Sequence, residues 1–162
     1  MTDAALPAPP STSKSHPFWR WFWLSFLVLS LVYAWYSFYV PSNEVDWAEN
    51  YAAAQARAAD TGKPMILFFT GAWCVPCRIM KREVWADEQV TAAVNAAFVP
   101  VTIDVDDPAE AAVLSRFGDR ITPNTILTDS QGNVLQQRPG KLSKAEFLAL
   151  LGAASETIAE ES

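Results

Sequence analysis

Two cysteines stand three positions apart in Trp73-Cys74-Val75-Pro76-Cys77-Arg78, and they are the only thiols among 162 residues. An apolar run, Met65-Ile66-Leu67-Phe68-Phe69, leads directly into them. Two thiols at the mouth of a helix that follows a buried strand suit reversible disulfide chemistry. The positive end of the helix lowers the pKa of the first thiol and raises its thiolate fraction. The second thiol, one helical turn on, is placed to attack a mixed disulfide made by the first. Cys74 is therefore expected to be exposed and nucleophilic, and Cys77 shielded and resolving. Trp73 reads as a surface ring that meets partners. Pro76 suits an early helical position and tunes the pair together with Val75. A purely structural disulfide this local would close a tiny loop and stabilise little.

The elements that must position these thiols can be read from pattern. Val45 to Ala59 is Ala-rich and reads as a helix, with Trp47, Tyr51 and Ala54 on one face. Thr61-Gly62-Lys63-Pro64 ends it. Met65 to Thr70 is continuously apolar, as in a strand covered on both faces. Cys74 to Trp85 and Asp87 to Ala97 read as helices. Phe98 to Ile103 reads as a strand whose Pro100 marks a beginning or an irregularity. Asp107-Pro108-Ala109-Glu110 opens a helix, with Asp107 as N-cap, and Gly118 closes it. Asn124 to Thr128 and Val134 to Arg138 form a hairpin about Ser130-Gln131-Gly132-Asn133. Ser143 to Ala159 is a last amphipathic helix, with Phe147, Leu150, Leu151 and Ile158 inward. Alternating strands and helices followed by a hairpin and a helix predict an α/β sheet with helices on both faces.

The chain is 51% hydrophobic with a mean hydropathy of +0.07, and the excess is local. Phe18 to Val40 holds one charge, Arg20, and is long enough to span a hydrocarbon core. Trp19, Trp21 and Trp23 gather at one end and Trp35, Tyr36 and Tyr39 at the other, as at two membrane interfaces. A signal-peptide core is shorter and ends in a small-x-small site, which Ser37-Phe38-Tyr39-Val40-Pro41 lacks, so an uncleaved anchor is expected. Lys14 and Arg20 precede the centre of the span, whereas Glu44, Asp46 and Glu49 follow it. The positive-inside rule then gives residues 1–17 as a disordered cytoplasmic tail, 18–40 as a transmembrane helix and 41–162 as an extracytoplasmic domain, periplasmic in a bacterium. After Pro41 there are 10 basic and 17 acidic residues, a net of −7, which argues against nucleic acid as a ligand. Zinc needs about four ligands, and the only histidine, His16, falls across the membrane from the thiols. Two thiolates suffice for Cu(I), and that alternative stays open. Asp104, Asp106 and Asp107 lack the Gly and closing Glu of a calcium loop and read as a capped turn. Arg78, Lys81 and Arg82 read as a solvated helix face or as a steering patch.

Taken together, Gly62-Lys63-Pro64, the strand after it, Trp73-Cys74-Val75-Pro76-Cys77, Ile121-Thr122-Pro123 and Gly140 resemble the thioredoxin-fold family. The resemblance runs from about Trp47 to Leu151. The segment Gly62 to Val90 is similar to the C-terminal domain of the transmembrane reductase DsbD. This implies a thioredoxin fold carrying protein thiol–disulfide exchange, with the two sulfurs as the redox centre and no organic cofactor. It also implies a cis bond before Pro123, client strands held by Thr122 and Pro123, and clients that carry disulfides. A membrane donor of the DsbD type would supply electrons. Oxidase or isomerase chemistry, or a non-catalytic binding module, are the alternatives. Two positions depart from the pattern. Phe68 stands where the family places a buried Asp, and Lys81 where the DsbD domain has an acid. Both changes remove negative charge near the thiols. They imply an easier thiolate and a couple less strongly reducing than thioredoxin.

Overall fold

The computed structural model describes residues 17–118 and 120–161, with side chains to residue 156. The chain divides into two compact units at Tyr39/Val40. The sequence-predicted tail lies, apart from Pro17, outside the described residues. So does the side chain of Ile158.

The described residues of the first unit form a helix, α1 (Pro17–Phe38), long and apolar enough to cross a membrane. Its rings run in a ladder, with Trp19–Phe22 centroids 5.8 Å apart and Trp23–Phe26 centroids 5.9 Å apart. Trp35 stacks on Tyr39 at the other end. The Ser37 hydroxyl donates to the Tyr33 carbonyl at 2.8 Å, so its polar group is satisfied within the helix.

The second unit is a four-stranded mixed sheet. Its elements are α2 (Tyr51–Thr61), β1 (Met65–Thr70), α3 (Val75–Met80), α4 (Glu88–Ala97), β2 (Val99–Asp104), α5 (Ala111–Phe117), β3 (Asn124–Thr128), β4 (Val134–Pro139) and α6 (Lys144–Glu161). Wider π-type turns, Lys81–Trp85, continue α3. The strand order is β2-β1-β3-β4, with β1 parallel to β2 and antiparallel to β3. This is the fold implied by the resemblance to thioredoxins.

Period-two alternation along β1 divides its side chains between two cores. Ile66 and Phe68 pack with Met80, Val84, Trp85, Val90, Val94, Phe147 and Leu150, under α3, α4 and α6. Met65, Leu67 and Phe69 pack with Ala54, Ala58, Val113 and Leu114, under α2 and α5. Trp85 is the centre of the first core. Its ring centroid lies 4.6 Å from that of Trp47, 5.3 Å from Phe68 and 4.8 Å from Phe147.

The helix expected over Val45 to Ala59 is shorter, and this corrects the sequence reading. Asn50 caps α2 by accepting the Ala53 N–H at 2.9 Å. The preceding segment finds its partners elsewhere. Ala48 N–H donates to Pro100 O at 2.9 Å, and Asp46 N–H donates to the Asn95 side chain at 2.9 Å. Trp47 therefore leaves the face of Tyr51 and Ala54 and joins the opposite core. Pro100 sits inside β2 and is tolerated because β2 is an edge strand.

Caps fix the remaining helices. Asp87 accepts from the N–H groups of Gln89 and Val90 and starts α4. Its carboxylate also takes a 2.8 Å bond from Lys144 Nζ, joining α4 to α6. Ser143 and Glu146 form a reciprocal capping box, with Ser143 N–H donating to Glu146 at 2.8 Å and Glu146 N–H to the Ser143 hydroxyl at 3.3 Å.

Two outcomes follow. Trp85→Ala removes the ring against which three others pack at an angle and is expected to lower stability by ~3–5 kcal/mol, with Trp85→Phe losing much less; chemical unfolding of the full chain in detergent measures both. The second concerns acid. The hydrogen bond from Lys144 holds the Asp87 carboxyl below its ordinary pKa, and the Ser143 hydroxyl does the same for Glu146. Depressed folded pKa values contribute stability above the unfolded values, and that stability is lost as pH falls through the folded ones. Asp87→Asn keeps the cap but removes the titration, so its unfolding midpoint should fall less than that of the wild type on acidification below about pH 4.

Candidate functional site

β1 delivers the chain to the thiols through a tight turn. Thr70 ends the strand, and Gly71 follows where a Cβ would meet Trp73 Nε1 at 3.1 Å and Asp106 Oδ2 at 3.3 Å. Cys74 N–H donates back to Gly71 O at 3.1 Å. Cys74 is extended (φ −75°, ψ 96°) and caps α3, and Pro76 occupies the first turn, where its missing N–H costs nothing. Cys74 and Cys77 form a disulfide with Cα atoms 5.3 Å apart. Cys77 N–H also donates to Cys74 Sγ at 3.2 Å. That donor, aimed at the first sulfur, would stabilise a thiolate there once the disulfide opens.

Both sulfurs are covered: Cys74 and Cys77 are each 1% exposed. The sequence reading expected an exposed Cys74, and the structure corrects this for the disulfide state. Bonded to Cys77, the Cys74 sulfur is held against the first turn of α3 and enters the same core as Phe68. What is exposed is the apolar rim. Trp73 is 61%, Val75 53% and Ile121 55% exposed. Asp106 fixes Trp73 by accepting its indole N–H at 2.6 Å.

Thr122–Pro123 is cis. Phe69 pairs with Asn124, so the start of β3 lies beside the end of β1, and Thr122-Pro123 arrives at the same end of the sheet as Cys74. The Pro123 carbonyl accepts from Gly140 N–H at 2.7 Å. Gly140 has φ +91°, a region closed to most side chains.

Beneath the disulfide the register builds a mixed polar and apolar floor. Phe68 is fully buried, paired with Thr102 of β2 and Thr125 of β3, and so shares their face. Thr70 and Asp104 pair on that same face at the strand ends. The hydroxyls of Thr70 and Thr125 are buried without a hydrogen-bond partner among the described residues. Lys81, expected as part of a solvated face, is half-buried, with Nζ 6.0 Å from the centroid of the Phe68 ring. Burial pushes its ammonium below the ordinary lysine pKa, and the Asp104 carboxylate opposes that shift.

The structure thus gathers Trp73, Cys74, Val75, Pro76, Cys77, Thr122 and Pro123 at one end of the sheet, with Phe68 below. Sequence reasoning missed Asp106 and Ile121. Asp106 is 33 residues from Trp73, and only the parallel register of β1 and β2 brings them together. Ile121 had a usable signal: it is the apolar residue directly before the Thr-Pro pair.

Known proteins match this arrangement. Residues 51–155 match the family model described as a thioredoxin-like domain. The thiol:disulfide interchange protein DsbD of Ralstonia nicotianae is 36% identical over 111 residues, covering 67% of this chain and 17% of DsbD. The chain therefore spans less than a fifth of that relative. A thioredoxin from Thermus thermophilus superposes with a TM-score of 0.63 at 24% identity, covering 68% of this chain and 87% of the thioredoxin. The oxidised C-terminal domain of Neisseria meningitidis DsbD gives 0.56 at 22% identity, covering 69% of this chain and 98% of that domain. These two likenesses bear on the fold. The chain belongs to the thioredoxin-like family of thiol–disulfide oxidoreductases, with Cys74 and Cys77 as its Cys-x-x-Cys pair.

Proposed function

We propose that this protein is a membrane-anchored oxidoreductase that faces out of the cytoplasm and reduces disulfides in partner proteins. The observation that carries the reading is the Cys74–Cys77 disulfide at the head of α3, with Cys77 N–H directed at Cys74 Sγ. In the reduced pair, the Cys74 thiolate attacks a client disulfide and forms a mixed disulfide. Cys77 then attacks Cys74, the client leaves with two more electrons, and the pair is oxidised. The two sulfurs carry the electrons, and no organic cofactor is required.

The exposed rim of Trp73, Val75 and Ile121 is the face a client meets. Proline has no N–H, and the Pro123 carbonyl is already engaged by Gly140. Backbone pairing with an extended client segment therefore falls mainly to Thr122. Anchoring is supported by the length and apolarity of α1, and orientation by Lys14 before the span, Arg20 at its N-terminal end and acids after it. An oxidising compartment such as the periplasm would drain the reduced pair, so electrons must be resupplied across the membrane. A dithiol donor of the DsbD type in the inner membrane fits that need, and the similarity to DsbD supports it.

Trapping tests the chemistry. Cys77→Ala should accumulate covalent complexes with client proteins in cells, and Cys74→Ala should not; equal yields from both would sink the assignment of roles. Reporter fusions test the orientation. Alkaline phosphatase joined after Ser162 should be active, and an inactive fusion with an active cytoplasmic reporter would reverse the topology.

A further inference from the structure

We propose that the Lys81 ammonium, over the Phe68 ring and on the Asp104 side of the sheet, is the charge that stabilises the Cys77 thiolate during resolution. Three placements lead there. Lys81 lies four residues after Cys77 on a continuous helical path, and long helical side chains lean back toward the preceding turn. Its Nζ reaches the face of Phe68, which shares a core with Cys77. The sheet face that carries Phe68 also carries Asp104 and the hydroxyls of Thr70 and Thr125, buried and without a hydrogen-bond partner among the described residues. A solvated surface lysine would stand clear of such a floor. The half-buried position and lowered pKa of Lys81 agree with this placement.

The charged groups around it are few. Asp104 faces it from β2. Its own helix carries Arg78, Arg82 and Glu83, and Glu83 is paired with Lys141 at 3.4 Å. On β1, the apolar Phe68 lies between Lys81 and the sheet. Cys77 must ionise inside a core with no carboxylate on that strand to take its proton. An ammonium at the edge of the same core lowers the energy of the thiolate instead.

The step balances. The Cys77 S–H bond breaks and its proton passes to solvent. The thiolate forms the Cys74–Cys77 bond and breaks the bond between Cys74 and the client sulfur. The client sulfur leaves as thiolate and takes up a proton. The cysteine pair gives up two electrons and the client disulfide gains them. Lys81 touches no reacting bond; it acts through Cys77 and is a positioning residue.

This rests on Cys77 as the resolving thiol, but its test needs no client. In full-length Cys74→Ala protein in detergent, the only thiol is Cys77, and its ultraviolet thiolate absorbance against pH gives its pKa. Adding Lys81→Met, which keeps the aliphatic stem, should raise that pKa by about one unit, a tenfold loss of thiolate at a given pH below it. Adding Lys81→Arg should leave it nearly unchanged. With both cysteines present, Lys81→Met should shift the equilibrium with glutathione toward the oxidised pair, and Lys81→Arg should not. An unchanged Cys77 pKa in folded Lys81→Met, or equal shifts in Lys81→Met and Lys81→Arg, overturns the proposal. Should Lys81→Met fail to fold, Lys81→Gln supplies the same comparison. Failure of client trapping with these results intact would instead count against the proposed reductase activity.

Discussion

β1 presents six residues, none of them left to solvent, and its two faces feed separate cores. Every other part of the second unit takes its position from that division. Parallel pairing on one side fixes β2, and antiparallel pairing on the other fixes β3. The C-terminal end of β1 is then the one place where the start of α3, the end of β2 and the start of β3 converge. The cysteines, Asp106 and Pro123 meet there because a buried strand allows no slip of register. A shift of one residue would exchange Phe68 for Leu67 beneath the disulfide and turn the aromatic core around Trp85 inside out.

That convergence also sets the electrostatics. A disulfide has no charge, so the oxidised site can sit in a core with Phe68 and Met80. A reduced site cannot remain both buried and anionic without help. The help is unevenly distributed. Cys74 has a backbone N–H aimed at its sulfur, whereas Cys77 shares its core with the Phe68 ring, over which the Lys81 ammonium lies. The two sulfurs therefore sit in different surroundings.

Much of this was legible in the residues. The continuous apolar run of β1, the Asp87 cap, the Gly118 stop and the β3–β4 hairpin all carry local signals, and the elements form where those signals stand; Asp107 caps only a 3-10 turn, Pro108–Glu110, and α5 begins at Ala111. The misread stretches are those decided by distant partners. Val45 to Glu49 has helical composition, yet Ala48 bonds to an edge strand 52 residues on, and Trp47 finds Trp85. Lys81 has the spacing of a surface charge, and only the core beneath it shows that its head is drawn inward. The burial of Cys74 within its disulfide is not encoded by the spacing of the two cysteines.

Pro100 has a further consequence. β2 borders the sheet, and an open strand border invites another chain to add itself. Here the proline withholds an N–H from that border, and its carbonyl is already taken by Ala48. The chain's own lead-in segment thus occupies the position that a neighbouring copy would otherwise seize. The blocked border closes this side of the sheet to strand addition by another copy.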